Sequence, residues 1–145
     1  IVEFAHLNLG IAVATDRGLL VPGIPNAHAL SLAELTEAIA ELATTAREGR
    51  TSPAAFAGGT FTISNVGVFG IDAGTPILNP GEAAILATGA IRRQPWEFEG
   101  EVALRDVMTL SLSFDHRLVD GEQGARFLVD VGTMLADPGS VMAIV

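Results

Sequence analysis

The sequence predicts an α+β domain in which a mixed β-sheet carries helices packed on one side. Three observations lead there. Runs such as Thr60-Phe61-Thr62-Ile63-Ser64-Asn65 and Met108-Thr109-Leu110-Ser111-Leu112-Ser113-Phe114 alternate apolar and hydroxyl side chains, the period of a strand with one apolar face. Two longer stretches open with capping-box spacings, the mark of helix starts, and are well separated in the chain. The strands also outnumber the helices.

The elements follow in order. Residues 8–14 and 19–22 read as the arms of a hairpin around the turn Thr15-Asp16-Arg17-Gly18, with Pro22 at a strand end or edge and Pro25-Asn26 closing the unit. Ser31 caps a helix, with Glu34 three residues on. Leu32, Leu35, Ile39 and Leu42 form its apolar face, and Arg47 and Gly49 suit its end. Thr51-Ser52-Pro53 starts a short helical turn. After the strand at 60–65, Gly67, Gly70 and Gly74 mark tight turns that match neither the dinucleotide nor the P-loop pattern. Residues 83–91 form an apolar run that reads as a strand buried on both faces. Residues 92–100, with the single tryptophan Trp96, read as a polar turn region. The strand at 108–114 leads into a helix from Gly121 to about Leu135. That helix carries a stripe of Gly124, Leu128, Val131 and Leu135, and Asp137-Pro138-Gly139 stops it before a short tail.

At 145 residues the chain fits one domain, 1–145, able to bury a real core. Apolar residues make up 49% and charged ones only 17%, which excludes disorder and hints at buried subunit interfaces. A net charge of −9 argues against nucleic acid as a partner, and no apolar run is long enough to suggest a membrane span. With no cysteine, disulfides, thiolate metal sites and a cysteine nucleophile are excluded. Ile1-Val2-Glu3-Phe4 lacks the pattern of a signal peptide and reads as an element entered midway, so the expected location is the cytoplasm and the expected object a fragment.

The best functional lead is Ser113-Phe114-Asp115-His116-Arg117-Leu118-Val119-Asp120-Gly121. It puts His116 on a strand-to-helix turn, where a rigid scaffold aims a polar side chain. Imidazole, with an ordinary pKa of about 6.5, suits proton transfer near neutrality. Asp115 and Asp120 flank it, and either could hold a tautomer, although Asp120 also stands where a helix N-cap would. A Ser-His-Asp hydrolase is conceivable from the many strand hydroxyls, yet no serine sits in a Gly-x-Ser-x-Gly elbow. His6 and His28 share no ligand spacing with His116 and read as loop or surface polarity, so no metal is expected.

Asp115-His116-Arg117-Leu118-Val119-Asp120-Gly121 resembles the signature of the dihydrolipoamide acyltransferases of 2-oxoacid dehydrogenase complexes. Three further stretches match in order: residues 10–22, 58–65 and 75–80. The resemblance spans essentially the whole chain. It implies a chloramphenicol acetyltransferase-like fold and the larger, C-terminal part of a catalytic domain. A first strand and helices, a lipoyl domain and a subunit-binding domain would lie upstream, none of them in this chain. It implies acyl transfer between a dihydrolipoyl thioester and coenzyme A as substrate. His116 would be the general base on the CoA thiol, Ser64 the donor to the oxyanion, and Asp120 a support. It implies a homotrimer with the histidine of one subunit facing the serine of its neighbour, trimers assembling into a larger core, and decarboxylase and dihydrolipoamide dehydrogenase as partner components. Arg92, Arg93, Arg105 and Arg126 are candidates for CoA phosphates, and Arg117 for a buried structural partner. Acetyl, succinyl and branched-chain members share these motifs; residues 64–70 look somewhat more like the acetyl and branched-chain ones. The alternative is a structural core module, inactive as this fragment.

Overall fold

Alternating strands bury one face only if a second layer covers it, and two capped helices supply that layer. The computed structural model describes residues 1–139. Its strands are β1 (Leu9–Ile11), β2 (Val13–Thr15), β3 (Gly18–Leu20), β4 (Gly23–Ile24), β5 (Phe61–Asn65), β6 (Ala84–Thr88), β7 (Arg92–Phe98), β8 (Glu101–Val107) and β9 (Leu110–Phe114). The helices are α1 (Leu32–Arg47) and α2 (Gly121–Ala136). A five-stranded sheet runs β4-β1-β5-β6-β9. In it β1, β5 and β6 are parallel, and β4 and β9 are antiparallel at the two edges. The expected mixed sheet is present.

Both helices cover one face of it. Leu9, Ile24 and Ala27 form a buried cluster against which Leu35, Ile39 and Leu42 of α1 and Phe61 and Ile63 of β5 pack. The Phe61 ring also meets Phe127 of α2, with centroids 5.7 Å apart. Registers put Ala84, Leu86, Leu112 and Phe114 on that same face. The opposite face carries Thr62, Ser64, Ile85, Ala87, Ser111 and Ser113. Gly10 lies there too, where a β-carbon would sit 2.3 Å from the Thr62 hydroxyl, so only glycine lets β1 lie beside β5.

Both capping boxes form. The Ser31 hydroxyl accepts the Glu34 N–H, and the Glu34 carboxylate accepts from the Ser31 hydroxyl at 2.6 Å and the Ser31 N–H at 2.8 Å, which together hold its carboxyl below the usual range. The apolar face of α1 is shorter than expected at its start. Leu32 is 70% exposed, and Ala46 anchors the last turn instead. On α2, Gly124, Leu128 and Val131 face inward, whereas Leu135 in the last turn is exposed. The helix reaches Ala136, and the expected tail beyond Gly139 lies outside the described residues.

Two expectations are corrected. Residues 92–100 are not a turn region: β7 and β8 form a long hairpin through Glu99-Gly100, both at positive φ. Both of its faces are largely exposed, so no alternation marks it, and Pro95 is tolerated because a two-stranded ribbon has two free edges. The opening hairpin is also split. β2 and β3 pair around the foreseen turn, but the chain leaves that ribbon at Ala12, and β1 joins the central sheet between β4 and β5. Core burial of Leu9 on both sides outweighs continuation of the local hairpin.

Candidate active site

The β9 strand delivers Asp115 to the sheet end, where its N–H donates to the Ala83 carbonyl at 2.9 Å and extends the ladder by one residue. The chain then turns: the Asp115 carbonyl accepts from Leu118 N–H at 2.9 Å and Val119 N–H at 3.0 Å. His116 stands exposed on this turn, its ring 5.6 Å from that of Phe114 and tilted by 48°. Phe114 is fixed in turn by α2, since a β-carbon on Gly124 would come within 2.6 Å of its ring. The histidine is therefore mounted on a strand, a turn and a helix that brace one another.

Neither flanking carboxylate is spent on the imidazole. Asp120 caps α2: it accepts the Gln123 N–H at 2.8 Å, and its own N–H donates to the Gln123 side chain at 2.9 Å. Asp115 pairs with Arg117, which donates to it from Nε at 2.9 Å and Nη2 at 2.6 Å and from its backbone N–H at 2.9 Å. These side-chain and backbone hydrogen bonds hold the Asp115 carboxyl down at about 2. Arg117 is not buried as expected; its side chain is 89% exposed against 19% for Asp115. The hydrophilic guanidinium stays in water while its partner lines the turn.

Ser64 is half-buried in β5, on the helix-free face. It pairs with Ala87, which pairs with Ser111. Two strand spacings, about 10 Å, and four residues of β9, about 13 Å, thus put roughly 16 Å between Ser64 and the start of the histidine's turn. No rotamer closes that gap. Within one chain the serine lies toward one end of the sheet and the histidine at the other, so a Ser-His nucleophilic pair is absent.

The histidine end holds a network that the sequence did not announce. The wholly buried Thr62 hydroxyl donates to Glu82 Oε1 at 2.9 Å and accepts from Asn79 Nδ2 at 3.0 Å. It ties down the turn before β6, whose Ala83 carbonyl anchors Asp115. A cavity of about 430 Å³ opens beside it, between Gly58-Gly59 and Asn79 to Glu82. A threonine alternating with apolar residues gave no hint of such partners. Of the candidate phosphate ligands, Arg92 is committed to Asp72 and the Gly70 carbonyl, Arg105 lies over the Phe98 ring, and Arg126 pairs with Glu122. His28 Nδ1 accepts the Leu7 N–H at 3.1 Å. Among the described residues no group of three His, Asp or Glu side chains could hold a metal ion, and no helix is long and apolar enough to cross a membrane.

The model of the family described as 2-oxoacid dehydrogenases acyltransferase (catalytic domain) matches residues 1–143. The chain belongs to that family. Among its relatives, the succinyltransferase component of the Pseudomonas aeruginosa 2-oxoglutarate dehydrogenase complex is 44% identical over 142 residues, 98% of this chain and 35% of that protein. The acetyltransferase component of the Bacillus subtilis acetoin cleaving system is 45% identical over 143 residues, 98% of this chain and 36% of that protein. The chain spans about a third of the length of the curated relatives it matches. The solved Azotobacter vinelandii dihydrolipoamide acetyltransferase superposes with a TM-score of 0.91 at 40% identity, covering 97% of this chain and 58% of that one. That structure concerns the roles of a serine, a histidine and an asparagine in catalysis. The cubic core of a pyruvate dehydrogenase multienzyme complex gives the same TM-score at 39% identity over the same shares. The chloramphenicol acetyltransferase-like architecture expected from the motif is that of the acyltransferase catalytic cores.

Proposed function

We propose that this chain carries the catalytic machinery of a dihydrolipoyl acyltransferase in a 2-oxoacid dehydrogenase complex, with each active site built from two copies of the chain. One observation carries the reading: His116 and Ser64 belong to opposite ends of one sheet, with roughly 16 Å by strand register between Ser64 and the start of the turn that carries His116, so a second copy must supply one of them. Their spacing supports both roles. In the Azotobacter enzyme the serine precedes the histidine by 52 residues and the asparagine follows by four, the separations of Ser64, His116 and Asp120 here.

In this reading the His116 imidazole takes the proton of the CoA thiol. A thiol with a pKa near 8.5 is mostly protonated at neutral pH, and the thiolate is the nucleophile. It attacks the carbonyl of the acyl-dihydrolipoyl thioester, and Ser64 of the neighbouring copy donates a hydrogen bond to the oxyanion. Collapse breaks the bond to the lipoyl sulfur, which regains the proton from the imidazolium. Asp120 supports the turn as a helix cap. Closed three-fold symmetry, further assembly into a core, and decarboxylase and dihydrolipoamide dehydrogenase partners complete the proposal, in the cytoplasm. Exposed Val68, Phe69, Ile77 and Trp96 give such an assembly apolar surface to bury. The lipoyl group would arrive on another domain.

In the full-length protein, His116→Ala should cut acyl transfer by about 10²–10⁴-fold while leaving particle size unchanged in sedimentation. Activity at the wild-type level would sink the proposal. Assaying acetyl-, succinyl- and branched-chain dihydrolipoamide thioesters assigns the acyl group. The scaffold reading is favoured instead if large assemblies form with no affinity for CoA in a titration.

A further inference from the structure

We propose that Asp115, clamped by Arg117, is a positioning residue that fixes the direction in which His116 faces the reacting thiol. The inference rests on His116 being the base. Every polar group of Asp115 is committed to holding the histidine's turn on the sheet end. Its N–H reaches back to the Ala83 carbonyl, and its carbonyl closes the turn onto Leu118 and Val119. Its carboxylate accepts the Arg117 backbone N–H and both arms of the guanidinium fork. The residues on either side of His116 are thereby locked to each other, which fixes the backbone that carries the imidazole, and the ring lies 5.6 Å from that of Phe114.

A purely stabilising role fits poorly. Arg117 is largely in water, and exposed ion pairs add little to global stability. Asp115 is mostly shielded, and its carboxylate is spent on Arg117 within the turn. What such a clamp controls is the geometry of one side chain. Proton transfer is sensitive to that, since misplacement by about 1 Å costs on the order of 10²-fold.

The test uses the full-length protein in its native assembly, with kcat and KM for CoA measured separately. Asp115→Ala should lower kcat by about 10²-fold with KM for CoA changed less than about twofold. Asp115→Asn keeps an acceptor for the Arg117 N–H and should recover about tenfold of that loss, and Arg117→Ala should lose about tenfold. Should Asp115→Ala not assemble, the Asn and Arg117 variants carry the comparison. Wild-type kcat in Asp115→Ala or Arg117→Ala, KM rising in step with the loss, or Asn failing to improve on Ala would overturn the inference. His116→Ala is run beside them. If it too keeps wild-type turnover, the proposed function is what fails; if it alone is inactive, only the positioning role does.

Discussion

Mixing two inactive chains should restore activity. Ser64→Ala removes the oxyanion donor, a loss of about 10²–10³-fold, and His116→Ala removes the base, a loss of about 10²–10⁴-fold. Because roughly 16 Å of sheet lies between Ser64 and the turn that carries His116, each chain contributes its serine to one site and its histidine to another. In a ring assembled at random from equal amounts of both variants, about one site in four pairs an intact histidine with an intact serine from its neighbour. Co-expression, or unfolding and refolding of the mixture, should therefore give about a quarter of wild-type acyl transfer, against about 1% or less for either variant alone. Thioester formation from acyl-dihydrolipoamide and CoA measures it directly. Activity of the mixture no greater than the average of the two variants would refute the two-chain site and with it the register argument.

Asp120→Asn should keep activity within a few-fold, because asparagine caps a helix as well as aspartate. Asp120→Ala should instead cost about 1 kcal/mol of stability in urea unfolding. Gly124→Ala forces a methyl against Phe114 and should cost about 1–3 kcal/mol by the same measurement, despite the better helix propensity of alanine. Thr62→Val leaves Asn79 and Glu82 each short of a buried partner, a destabilisation of about 1–3 kcal/mol. Asp115 has its carboxyl lowered from 3.8 to about 2, so the Arg117 pair is intact above about pH 4 and is lost as pH falls toward 2. Arg117→Ala should return the Asp115 titration, followed by carboxyl NMR, to the ordinary carboxylate range.

Legibility in the sequence tracked burial. β5, β6 and β9 alternate or run apolar because a helix layer covers them, and the Ser31 and Asp120 caps announce themselves by spacing alone. The β7–β8 ribbon has no buried face to impose a period, and it was invisible for that reason. The break at Ala12 depends on β5, which is about fifty residues away, so no local signal marks it. His116 and Ser64 stood out by motif, whereas the sheet end to which each belongs is a matter of register. Arg117 and Asp115 were misread because an i, i+2 ion pair has no pattern of its own.

The central sheet also orders events in time. The β7–β8 ribbon pairs neighbours through a two-residue turn, and hairpins of this kind close in microseconds. β1 must find β5 across a loop that contains all of α1, and β5 must find β6 in parallel, pairings that are entropically costly and slow. Ser64 lies on β5, and His116 follows β9, which pairs with β6. A newly made chain therefore carries its apolar strands uncovered for the longest stage of folding, and the chemistry cannot begin until the slowest contacts have closed.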